Sequence, residues 1–571
     1  MPPAIRLWSL ILQTLLLAAC GRSEAPNVPG AADAVYQNGR IYTVDPQRSW
    51  AEAVAITAGR LSYVGSNEGA TDYKGPNTTV VDLGGRLMLP AFQDAHIHPI
   101  TGGLEALACD LNDLYSLEDY RSTIAAYAAA NPDVPWILGG GWSMAVFGPG
   151  GRANRAILDE LIPDRPVFLE SADGHTGWAN SRALEIAGIT KDTPDPRDGI
   201  IDRDPETGEP IGSLQEDAMD IVEAHIPPTS LASRVAALRY TRDMLHGYGI
   251  TSITAANVTP ERLEAYAALD ARDELGLRVV TSLKWDNDRG VEQIDDFVAQ
   301  REQHTKGNVH ASTVKIFQDG VLENFTGAML EPYDIPSHSR GIPMVEPELL
   351  KRAVTQLDAR DFQVHFHAIG DAAIRQSLDA VEEALIENGQ RNNRHHIAHA
   401  QVVHPNDVAR FSELNVTANF QPLWAYADSY VLELNLPFIG EERTSWMYPM
   451  KSIQEAGGRI AFGSDWSVSS ANPFIGIATA ITRLSQFGET QVEFTPWERI
   501  DLESAIAAYT IDAAYVNWQE VNTGSIETGK LADLIVLDRN VLEIEPADIS
   551  DTRVLLTLFA GDPVYGNLDQ F

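Results

Sequence analysis

Between residues 87 and 463 eight short apolar runs recur, most of them separated by longer amphipathic stretches. The runs cover 87–95, 250–255, 277–285, 311–317, 363–368, 395–400, 416–420 and 459–463, and helical periodicity marks 231–246, 260–275, 372–388 and 501–516. Short apolar strands alternating with amphipathic helices specify a parallel sheet with helical crossovers. Eight is the number of strands that closes a barrel. The expected class is therefore α/β, a (β/α)8 TIM-like barrel over 87–519. Its first crossover is too long for one helix, so about 104–229 reads as a large insertion. Within it, Gly139-Gly-Gly-Trp142 and Asp173-Gly-His-Thr-Gly-Trp178 read as loops near a pocket.

The two ends follow a different pattern. Alternating runs at 34–37, 40–44, 53–56 and 61–64, with turn signals at Asn38-Gly39 and Gly59-Arg60, read as antiparallel strands joined by hairpins. A matching segment, Gly529 to Asp538 and then Arg553 onward, ends the chain, so 34–86 and 520–571 are expected to form one small β-sandwich. Residues 1–20 have a basic start, a short apolar run and small residues before Cys20, the pattern of an export signal too short to span a membrane. Leu17-Ala-Ala-Cys20 resembles the lipobox of bacterial lipoproteins, which implies lipidation of Cys20 and export to the bacterial envelope, with Gly21 favouring the outer membrane. Residues 21–33 are small, polar and proline-bearing and read as a flexible tether. Only Cys109 remains in the body of the chain, a buried thiol with no disulfide partner. The net charge of −38 repels nucleic acid and anionic lipid, leaving the acyl anchor as the expected hold on the membrane.

In a barrel of this kind, side chains at the carboxyl ends of the strands converge on one pocket. Those ends carry Asp94-Ala-His96-Ile-His98, Lys315-Ile-Phe-Gln-Asp319, His365-Phe-His367, His395-His396-Ile-Ala-His399 and Ser464-Asp465. Two histidines one residue apart on a strand point the same way and can share a metal ion.

The order His96-x-His98, Lys315, His367, His399, Asp465, together with the divided β-sandwich, resembles the amidohydrolase superfamily. Asp173-Gly-His-Thr-Gly-Trp-Ala-Asn180, Gly212-Ser-Leu-Gln-Glu216, Val314 to Gly320, His367-Ala-Ile-Gly-Asp371, His399-Ala-Gln401 and Gly463-Ser-Asp-Trp466 resemble its family 3, which contains N-substituted formamide deformylases. The resemblance implies two divalent ions bridged by carboxylated Lys315, one held by His96, His98 and Asp465 and the other by His367 and His399. Zinc is expected, although manganese, iron, cobalt or nickel suit the same donors. The sixth strand offers both His396 and His399 as the ligand, and His365 is expected to pack or support.

Such a site hydrolyses a carbon–nitrogen bond of a small amide, formamide or N-acyl compound, with Asp465 moving the proton. His175 is expected to bond the oxyanion or the substrate, Glu216 to support the pocket, and Trp142, Trp178, Trp424 and Trp466 to wall it. Ester or lactone hydrolysis uses the same metals. Deamination ranks lower, because Ala368-Ile-Gly-Asp371 lacks the glutamate that deaminases carry there. A non-catalytic regulatory or binding lipoprotein would show a degenerate site, and here all six ligand positions are filled.

Overall fold

The computed structural model describes residues 30–571 apart from 113, 115, 149, 150 and 489. The expected signal, Cys20 and residues 21–29 of the tether lie outside the described residues. Ala32, expected in the tether, is buried and its N–H donates to Tyr73 O at 2.8 Å, so it belongs to the folded part of the chain.

Eight parallel strands form one sheet in chain order: β1 (Phe92–Ile97), β2 (Ile250–Val258), β3 (Arg278–Lys284), β4 (Val309–Phe317), β5 (Gln363–Ala368), β6 (His396–His399), β7 (Thr417–Phe420) and β8 (Ile460–Phe462). The sheet curls into a nearly closed barrel. Asp465 N–H donates to His96 O at 2.8 Å across the seam between β8 and β1, and the Asp94 carboxylate accepts from Ser464 N–H at 3.1 Å. Helices Leu231–Gly247, Pro260–Asp270 and Asp371–Asn388 follow the helical periodicity of the sequence, and Pro347–Ala359 adds another before β5. Ser230 and Thr259 cap two of them through their side chains, and Pro260 fills a first-turn position that needs no N–H. The stretch 501–516 divides into Leu502–Ala508 and Ile511–Val516, because Thr510 leaves helical geometry (φ −122, ψ −93) and turns its hydroxyl back to Ile506 O.

The first apolar run also divides. Leu87–Pro90 pairs with Arg40–Tyr42 and Leu534–Leu537, and the barrel begins at Phe92 rather than 87. The partner changes between adjacent residues, Ala91 N–H donating to Asp533 O and Phe92 N–H to Gly249 O. Pro90, which has no N–H to give a strand ladder, stands immediately before that exchange. The ends of the chain build two sheets whose inner faces share one core, including Tyr36, Val54, Met88, Leu534 and Leu556. Asn38-Gly39 does not turn a hairpin there. It carries the chain from Ala34–Gln37 in one sheet to Arg40–Tyr42 in the other, whereas Gly59, at φ 74, does close the hairpin between Ala53–Thr57 and Arg60–Gly65.

The insertion after β1 folds as a separate six-stranded sheet, in the order Gly199–Arg203, Pro210–Glu216, Thr176–Ala179, Val167–Ser171, Ile137–Trp142, Cys109–Asp110. Cys109 is fully buried, and burial pushes its thiol up to about 12. Among the described residues no helix is long and apolar enough to cross a membrane.

Candidate metal centre

Strands β1, β4, β5, β6 and the turn after β8 bring His96, His98, Lys315, His367, His399 and Asp465 onto the wall of one cavity of about 1620 Å³. His96 Nε2 lies 3.1 Å and His98 Nε2 3.0 Å from Asp465 Oδ1, and His399 Nδ1 lies 3.9 Å from Asp465 Oδ2. The carboxylate thus stands between both sets of histidines. Donor atoms of His96, His399 and Asp465 fall within 4.8 Å of one another, a grouping that crosses the expected division into two sets. The His367 ring completes the arc 4.5 Å from that of His399.

Several of these atoms are buried without a hydrogen-bond partner: His96 Nε2, Lys315 Nζ and Asp465 Oδ1. Buried polar atoms are rarely left unpaired, and lone pairs that converge without a proton between them fit a cation. Burial pushes the His96 imidazole down to about 3, so it is neutral, the form that ligates a metal. Burial also drives the Lys315 ammonium down to about 7, against the pull of Asp465, leaving a substantial share as free amine. Burial alone would raise the Asp465 carboxyl, but His96 and His98 together hold it well below the usual carboxylate range.

Neighbouring side chains aim these donors. His96 Nδ1 meets His365 Nε2 at 2.7 Å, and Ser282 Oγ meets His365 Nδ1 at 2.9 Å. His399 Nδ1 is 2.8 Å from Gln421 Oε1. His396 stays off the cavity wall: its ring lies against His365, with centroids 4.0 Å apart, and its Nδ1 faces Asn419 Nδ2 at 3.2 Å. Residues three apart on a regular strand face opposite ways. His399 and Ala400 leave the regular strand, with φ of 72 and 43, and that bend turns His399 toward the cavity.

A profile described as the amidohydrolase family matches residues 79–565. The protein belongs to that family. Protein LONG AFTER FAR-RED 3 of Arabidopsis thaliana is 31% identical over 95% of this chain and 93% of its own length. An N-substituted formamide deformylase of Arthrobacter pascens is 26% identical over 93% of this chain and 97% of its own. The solved structure of an uncharacterized metal-dependent hydrolase from Pyrococcus furiosus superposes with a TM-score of 0.69 at 25% identity, covering 89% of this chain and all of that one.

The rest of the wall of this amidohydrolase comes from the loops and the insertion. Trp424 stacks on His399 at 5.4 Å with planes 8° apart, and Trp466 also lines the cavity. Trp142 and Trp178 do not. Both are fully buried in the insertion's own core, rings 6.0 Å apart, with Trp142 Nε1 donating to Leu169 O and Trp178 Nε1 to Asn154 O. Alternation along the strand sends Gly141 and Ser143 to the cavity and Trp142 to the other side. His175 does reach the cavity, its ring 5.2 Å from that of His367 and its Nδ1 2.7 Å from Glu216 Oε2. Burial opposes a charge on His175, but Glu216, joined by Asp173 and Asp465, outweighs it and raises the imidazole to about 9. Glu216 takes a left-handed φ of 50 and accepts from Thr326 Oγ1 at 2.7 Å through its other oxygen. Gln421 and Ser282 were not found from sequence, because an isolated polar residue in a strand or turn carries no periodic or spacing signal.

Proposed function

We propose that this amidohydrolase cleaves a carbon–nitrogen bond of a small amide, formamide or N-acyl compound, using two divalent ions, zinc foremost. The observation that carries the reading is the convergence of six donor side chains on one cavity, with unpartnered buried atoms among them. Its similarity along most of its length to an N-substituted formamide deformylase supports the bond type. His96, His98 and Asp465 would hold one ion, and His367 and His399 the other. Lys315, carboxylated at its amine by carbon dioxide with loss of a proton, would supply an anionic ligand to both ions. A bound divalent ion supplies Lewis acidity, which lowers the pKa of water toward about 7 and polarises a carbonyl.

The side chains do the rest. Asp465 takes a proton from the attacking water and returns it to the leaving nitrogen, for which its place between the histidines suits it. His175, held by Glu216, donates to the carbonyl oxygen as that oxygen gains charge. Trp424 and Trp466 wall the substrate. We further propose export and a lipid anchor on Cys20, supported by the Leu17-Ala-Ala-Cys20 pattern.

Elemental analysis of the purified protein, paired with turnover of N-formyl, N-acyl and ester substrates, tests the reading. About two metals per chain with amide turnover is the expected result. Asp465→Asn should lose turnover by about a thousandfold or more while keeping its fold. Undiminished activity in that variant would remove Asp465 from the proton-transfer role.

A further inference from the structure

Outside the donor set, the cavity wall carries two buried acceptor atoms, one on Asn435 and one on Asp173, that have no donor. Glu323, in the loop after β4, is 7% exposed, and Asn435, at the end of the helical turn Tyr430–Asn435, is 1% exposed. Asn435 Nδ2 donates to Glu323 Oε1 at 2.8 Å. That bond fixes the amide, since reversing it would set an oxygen against a carboxylate. Asn435 Oδ1 is left buried, on the wall, without a donor.

Asp173 reaches the same wall from the insertion. Its Oδ1 accepts from the Ser171 hydroxyl and from His175 N–H, while its Oδ2 has no donor. Asp173 and Glu323 repel each other electrostatically, with His175 easing the charge, and the phenols of Tyr430 and Tyr448 feel the Glu323 carboxylate from the same wall. Burial pushes the Glu323 carboxyl up to about 7. A buried carboxylate without a cation is costly, and a donor-rich cation bound beside it removes that cost. Carboxylates also outnumber lysines and arginines around the cavity as a whole, and an enclosed wall of one sign draws in the opposite charge.

We propose that Glu323, Asn435 and Asp173 form a subsite for a protonated amine of the substrate, so that the compound hydrolysed is an amide carrying a second, cationic nitrogen. The chemistry matches. A primary ammonium offers three N–H donors and no acceptor, and tyrosine faces accommodate a cation. His175 ties the subsite to the metal centre, its backbone N–H on Asp173 and its ring beside His367. The proposal rests on the hydrolase reading above.

The test uses metal-loaded protein and a series of mono-N-acetylated diaminoalkanes of increasing length. Each is paired with the N-acetyl alkylamine in which a methyl group replaces the ammonium. The best diamine derivative should exceed its neutral twin in kcat/KM by about tenfold or more, the scale of one charge-assisted contact. In Glu323→Gln, which keeps the shape and the Asn435 bond, that ratio should fall toward one, and Asp173→Asn should lower it as well. A wild-type ratio near or below one throughout the series would overturn the subsite while the turnover itself upheld the hydrolase. Calorimetry with the free, unreactive diamines decides the case if no amide is cleaved, an outcome that would count against the hydrolase reading. Binding to wild type and about tenfold weaker binding to Glu323→Gln supports the subsite, whereas no binding, or equal binding to both, overturns it.

Discussion

Asp465 can face two sets of histidines because each of its oxygens meets a different set, Oδ1 near His96 and His98 and Oδ2 near His399. Its neighbours matter as much as the donors. Gln421 leaves His399 one orientation, and the pair His365 and Ser282 does the same for His96. Partners of this kind set metal affinity through the angle and basicity of the ligand, and their loss costs about 10- to 100-fold. Gln421→Leu should therefore weaken metal binding by that order in a chelator competition, with the fold intact; unchanged affinity would reduce Gln421 to packing. At this scale the sequence showed donor types at strand ends, since a strand's direction in a barrel fixes where its end points. It did not separate His396 from His399, because the choice depends on a backbone bend at His399. Nor did it separate the pocket tryptophans Trp424 and Trp466 from Trp142 and Trp178, whose side-chain direction depends on strand phase within the insertion.

Strand β1 borders the seam of the barrel. It must pair with β2 along its length while its far edge meets only the short β8. Asp94 holds that edge, its carboxylate accepting from the backbone N–H of both His96 and Ser464. Asp94→Ala would leave two buried amides unpaired, at about 1–3 kcal/mol each. Urea unfolding of the metal-free variant should show a loss of about 2–6 kcal/mol against the wild type. A loss below about 0.5 kcal/mol, the size of an ordinary surface substitution, would mean that the seam closes without it. Element positions were largely legible, because apolar strands and amphipathic helices differ in period. The run over 87–95 changes sheets at Ala91 and Asn38-Gly39 crosses between sheets, each through hydrogen-bond partners distant in the chain, whereas the stretch 501–516 breaks at Thr510, whose hydroxyl bonds locally to Ile506 O.

In the whole molecule, the barrel supplies the six donor side chains, and the insertion and the barrel loops together supply the rest of the cavity wall. The acidic surface, at a net charge of −38, offers no electrostatic hold on an anionic membrane. Cys20→Ser should accordingly shift the protein from the membrane to the soluble fraction of fractionated cells, and continued membrane attachment would refute the anchor. What the sequence determined by itself was whatever is written in local period and order: eight strands, their helices, a divided sandwich, and the donors at strand ends. The tertiary structure alone decided which donor atoms come within reach of one another, which tryptophans face the cavity, and that Glu323, Asn435 and Asp173 line one wall. Those outcomes rest on the closure of the barrel and on the packing of its loops and the insertion over its mouth. That packing joins residues hundreds of positions apart, and no local pattern encodes such a distance.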